Sequence, residues 1–147
     1  MIFGTLSLLA VAEGNEDKRA IQLQNEQRRL EKTKDPTDRT KSLIKIAEIQ
    51  LDYANDGVQQ GNFFKMQSAL DQYREAMTGA RDTMLNSGLD PYKHSGGYRA
   101  VELAIRKHVR ILQDTARSLS LAQRAPVEET VQVISKIRDE FLKALFK

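Results

Sequence analysis

The chain contains no cysteine and no tryptophan, and its 147 residues include only three prolines and eight glycines. Without cysteine there is no disulfide framework, no thiolate nucleophile and no thiolate metal ligand. A helical domain of this size folds without bridges in any compartment, so the absence does not fix a location. Two histidines, His94 and His108, stand in dissimilar places, and no serine or carboxylate lies at a spacing that pairs a nucleophile with a base. Charge of neither sign dominates: 23 Lys and Arg against 20 Asp and Glu leave +3, too little to imply nucleic acid. No apolar run is long enough to span a bilayer.

What the chain does have is 40% apolar residues, enough for one core, and 29% charged residues to cover it. Long segments of Ala, Leu, Gln, Glu, Lys and Arg lose little rotamer freedom in a helix, and an all-α fold follows. The stretch from Phe63 to Leu85 organises the rest. Phe63, Met66, Leu70, Tyr73, Met77, Ala80 and Met84 alternate spacings of three and four, which places them on one helical stripe. Beside it, Ala69, Ala76 and Ala80 make a small-residue strip where another helix can come close.

Three partner helices are legible. Asp35-Pro36 ends a polar helix over Asn15–Lys34, with Ala20, Leu23, Gln27 and Leu30 as its thin apolar stripe, and opens a second helix that runs to Gln60. That second helix buries Leu43, Ile44, Ala47, Leu51, Ala54 and Val58, with Ile46, Ile49 and Tyr53 widening the face toward more than one neighbour. Gly61-Asn62 turns it into the Phe63 helix as a hairpin. After Asn86-Ser87-Gly88 a long connection leads to a helix over Gly97–Leu119, and Ala125-Pro126 separates a last helix with a seam from Val127 to Leu145. The expected fold is an antiparallel up-and-down bundle of four main helices with the polar first helix as an accessory; a helical-repeat packing is the alternative. Ala69, Tyr73 and Ala76 match the small-aromatic-small spacing of a tetratricopeptide repeat, but the turn at Gly61 lies too far upstream and no second copy appears.

Two places carry candidate chemistry. In the long connection, Lys93, His94 and Ser95 precede Gly96, Gly97 and the helix N-terminus with Arg99, a setting that can hold a phosphate or carboxylate; Ser95 also suits an ordinary helix cap. Along the following helix Arg99, Arg106, Arg110 and Arg117 form a basic stripe opposite Val101, Ala104, Ile105, Ile111, Leu112, Ala116 and Leu119. From Leu89 to Ala125 seven Lys or Arg face three acids, so the chain's basic surplus sits here, either as an anion-binding face or as a solvated face laced to acids. With no aromatic residue among the arginines, base stacking is not expected. His108 falls on the apolar side and must find a hydrogen-bond partner: a carbonyl, hydroxyl or acid, or else a haem or metal opposite Met66, Met77 or Met84.

Residues Ile2–Ala12 form an uncharged apolar run ending in Ala10-Val11-Ala12, small residues flanking an A-x-A processing site, although no Lys or Arg precedes it and a signal would need a start further upstream. Residues 1–12 are read as signal-like and 13–147 as one helical domain. Glu13 to Leu43, with its glutamine-rich charged helix broken at Asp35-Pro36, resembles small exported bacterial helical proteins of unknown function. The resemblance implies export and a helical fold only. The expected function is a non-enzymatic interaction or structural module of the periplasm or envelope, without cofactor, with a protein partner or a second copy of itself. The alternatives are anion or nucleic-acid binding through the basic face, a haem or metal bundle around His108, and a cytoplasmic location. Protein made from its native gene, upstream region included, is expected outside the cytoplasm with its N-terminus near Glu13. Intact mass and cell fractionation check this, and a cytoplasmic product that retains Met1 to Ala12 rejects it.

Overall fold

Among the described residues five helices account for the secondary structure: α1 Phe3–Lys32, α2 Pro36–Gln59, α3 Phe63–Leu85, α4 Gly96–Arg117 and α5 Leu121–Leu145. This computed structural model describes residues 3–146, with side chains from residue 18 onward, and there is no strand among the described residues. The signal-like run over residues 1–12 therefore lies outside the described side chains, and its first two residues lie outside the described chain. No described helix is long and apolar enough to cross a membrane.

The boundaries follow local chemistry. Asp35 accepts a hydrogen bond from the Asp38 amide at 3.0 Å, with Pro36 in the first turn where its missing N–H costs nothing. Arg39 reaches back from α2 to donate to the carbonyls of Leu30 (2.6 Å) and Thr33 (3.0 Å), satisfying acceptors that the end of α1 leaves open. Gly61 turns the chain at φ +65°, and the Asn62 side chain caps α3 by accepting from the Lys65 amide at 3.0 Å.

Pro126 does not start the last helix. The helix begins five residues earlier, at Leu121, and runs through Pro126 without a break. A proline one turn inside the N-terminus removes a single ladder bond next to amides that have no intrahelical partner in any case, and the chain tolerates it there.

Helix α3 occupies the inner position and touches α2, α4 and α5, while α2 also meets α1 and α4, and α4 meets α5. Met66, Leu70, Tyr73, Met77, Ala80 and Met84 are buried along its stripe, with Ala69 and Ala76 beside them. The approach of α2 to the start of α3 is set by Gly57: a Cβ there would lie 2.6 Å from the Met66 amide nitrogen, so any side chain would force the backbones apart. At Gly97 a Cβ would sit 2.4 Å from the Met84 sulfur, so the tip of that side chain, not the backbone, would have to shift. The next residue, Tyr98, is buried, and its hydroxyl lies against two carbonyl oxygens, that of Met84 in the last turn of α3 at 3.1 Å and that of Leu89 in the long connection at 2.8 Å. Ile111, placed on the apolar side by its spacing, is 38% exposed.

Two glycine substitutions should have opposite signs. Gly57→Ala overpacks against backbone and is expected to cost about 1–3 kcal/mol. Gly79→Ala meets only the Leu43 methyl groups at 3.5 and 3.6 Å, an ordinary contact. It should gain roughly 0.5–1 kcal/mol from helix propensity. Urea unfolding of the two variants checks the pair.

Candidate functional site

Three helices each send one polar side chain to a single place. Tyr73 of α3 and His108 of α4 are fully buried, and the Tyr73 hydroxyl stands 2.9 Å from His108 Nδ1, the two rings meeting edge to face. Burial, reinforced by the negative charge of Glu48, pushes the Tyr73 hydroxyl far above its ordinary range, so it keeps its proton. No other acceptor is within reach of that proton among the described residues. The hydroxyl therefore donates to Nδ1, which assigns the hydrogen of the neutral imidazole to Nε2.

Nε2 then faces Glu48 of α2, whose Oε2 is 3.8 Å away, beyond hydrogen-bond distance, and it has no hydrogen-bond partner. The His108 N–H dipole facing it, joined by the Lys107 ammonium at 3.5 Å, holds the Glu48 carboxyl below the usual carboxylate range against the opposing effect of burial. A charged carboxylate and an unsatisfied N–H thus point at one another across a short gap.

That gap opens into a groove between α2 and α4. The Glu48–Lys107 ion pair bridges it and divides it into two halves of opposite character. One, of about 770 Å³, is lined by Glu48, Asp52, Asn55, Gln59, His108 and Asp114 among others. The other, of about 610 Å³, is lined by Arg29, Asp38, Lys41, Lys45 and Leu103 among others, and Glu48 and Lys107 border both. The acidic half owes its charge to α2, where Glu48, Asp52 and Asp56 recur every fourth residue and share a face. Arg19 of α1 takes Asp56 at 2.5 Å and stacks on Tyr53. Asp52 forms no ion pair among the described residues. Burial raises its carboxyl, Arg19 pulls the other way, and the charges of Asp56 and Glu48 add to the rise.

Of the residues marked out by the sequence, Lys93 and His94 are exposed in the connection before α4. Ser95 stands at the N-cap position but in helical geometry, and its side chain makes no capping bond, so the amides of the first turn gain nothing from it. The arginine stripe is not uniform. Arg106 pairs with the buried Glu102 at 2.7 Å and Arg117 with Asp114 at 3.1 Å, whereas Arg99 and Arg110 are exposed and form no ion pair among the described residues. Glu102 also accepts from Arg138 of α5 at 3.1 Å, which ties α4 to α5. The structure does not bring the loop residues and His108 into one pocket. The groove residues missed by sequence spacing are Glu48, Asp52 and Lys107; the four-residue carboxylate repeat on α2 was the available sign. Met66, Met77 and Met84 pack in the core, and no group of three or more His, Asp or Glu among the described residues is placed to hold a metal.

Compared with known proteins, the chain matches no family model, no curated protein and no solved structure.

Burial pushes the Glu102 carboxyl upward, but the Arg106 and Arg138 guanidinium groups outweigh it and leave the group below its ordinary range. A carboxyl lower in the folded than in the unfolded chain adds stability above the unfolded value, about 4.3, and loses it as pH falls through the folded value. Glu102→Gln should therefore cost about 1–3 kcal/mol at neutral pH. It should also flatten the fall in thermal stability at acid pH. Melting curves between pH 7 and pH 3 check both.

Proposed function

We propose that this chain is a non-enzymatic interaction module of the cell envelope, an antiparallel up-and-down bundle of α2 to α5 with α1 as its accessory, which engages a protein partner through the α2–α4 groove. The observation that carries this is the groove itself. It follows α2 and α4 past each other, and α4 leaves Leu103, 56% exposed, and Ile111 along it instead of burying them. Apolar side chains set among charges of both signs suit a partner that buries the former and pairs the latter. The imidazole on the groove floor has Nδ1 bonded to Tyr73, which fixes the orientation of the ring, and Nε2 facing Glu48. Export rests on the A-x-A run and on the resemblance to small exported helical proteins.

A photo-cross-linking residue at Leu103, in protein expressed from its own gene, should give a discrete cross-linked species, whereas the same residue at Phe64, exposed outside the groove, should not. No product at Leu103, or an equal one at Phe64, would reject the groove as the contact surface.

A further inference from the structure

We propose that the acidic half of the α2–α4 groove binds a small organic cation whose ammonium group lies within a few bonds of a hydroxyl, the chemistry of an amino alcohol or amino sugar. This deepens the reading of the groove as the contact surface and rests on it.

Two independent features of the groove call for those two groups. The first is His108: its side chain is 1% exposed, and its Nε2–H faces the groove with no acceptor, 3.8 Å from a charged Glu48. A buried donor left without a partner is costly, and a filler here must accept from Nε2–H while donating to the carboxylate. A hydroxyl does both. An ammonium has no lone pair to offer, and a ligand carboxylate would meet Glu48 charge against charge. Glu48 is partly exposed and paired with Lys107 at 3.5 Å, and it must move aside with that partner to admit the hydroxyl, whereas His108 is held in place by Tyr73.

The second feature is Asp52, one turn or about 6 Å further along α2. Its neighbours on the ladder are engaged, Glu48 by Lys107 and Asp56 by Arg19, while Asp52 itself lacks an ion pair among the described residues. An ammonium group placed there gives this exposed carboxylate the ion-pair partner that it lacks among the described residues. Lys107, paired with Glu48 at 3.5 Å, also lines this half, and its charge favours the Asp52 end for a second cation. Asn55 and Gln59 continue the lining with amides that donate to and accept from further hydroxyls.

The test uses the full chain, nitrogen-15 labelled, titrated with glucosamine. Glucose, which lacks the ammonium, and putrescine, which lacks the hydroxyl, serve as comparisons. The two imidazoles are followed by NMR, the exposed His94 serving as internal reference for His108. Glucosamine is expected to move the His108 Nε2 signal and leave His94 in place, with the two comparison compounds binding about tenfold more weakly. Asp52→Asn should weaken glucosamine by a similar factor, yet raise the melting temperature of the free protein by relieving repulsion from Asp56 and Glu48. The proposal is overturned if His108 does not respond at millimolar glucosamine, which leaves the gap to water, if putrescine matches glucosamine, or if Asp52→Asn leaves binding unchanged. None of these results bears on the partner contact at Leu103, which lies in the other half of the groove.

Discussion

Among the described residues one hydrogen bond between two fully buried side chains, Tyr73 to His108, joins α3 to α4 and decides how α4 sits on α3. The methionines, leucines and isoleucines around it pack without strong directional preference, so they tolerate small slips of one helix along another. The Tyr73–His108 hydrogen bond does not. Broken, it would leave two buried polar groups without water, and α3 and α4 are therefore fixed in register at that point. The same bond selects the tautomer of the imidazole and aims its second nitrogen between α2 and α4. A demand of the core thereby places a hydrogen-bond donor on the floor of a surface groove.

Side-chain size explains why a groove exists on that side and not on the other. Where α2 meets α3, glycine and alanine line the contact: Gly57 admits the α3 backbone, and Ala69, Ala76 and Ala80 keep the strip narrow. Where α2 faces α4, the opposed residues are long and charged or stand partly in solvent, with Glu48 and Lys107 meeting across the space. Small residues draw helix axes together, and long polar ones hold them apart. The second face is electrostatically divided and open to solvent.

Much of the fold was written in spacing. The alternation of threes and fours from Phe63 to Met84 marked the buried stripe, and Asp35-Pro36 and Gly61-Asn62 placed two helix boundaries, because those signals are local. Pro126 misled: a proline is read as punctuation, and only the position of the helix start, which depends on how α5 meets α4, shows it to be harmless. The site was harder to read. His108 stood out as an imidazole on an apolar face, but its partner Tyr73 is 35 residues away and was seen only as packing. Glu48 and Asp52 looked like any exposed acids on an amphipathic helix until the arrival of α4 enclosed them on one side. Arginines catch the eye in a sequence, yet two of the four in the stripe are tied to acids of their own helix, and the α4 cation that faces the groove is Lys107.

The hydroxyl of Tyr98 has a further consequence for the long connection between α3 and α4. By holding the carbonyls of Met84 and Leu89, it fastens the first part of that segment to the body of α4. The chain between Leu89 and α4 then closes over only a few residues, and the conformational freedom that a connection of this length would ordinarily retain is confined to its tip. Asp90 to His94 are the place where extra residues can be accommodated, or a backbone cut tolerated, at little cost, whereas the same change before Leu89 would loosen the end of α3.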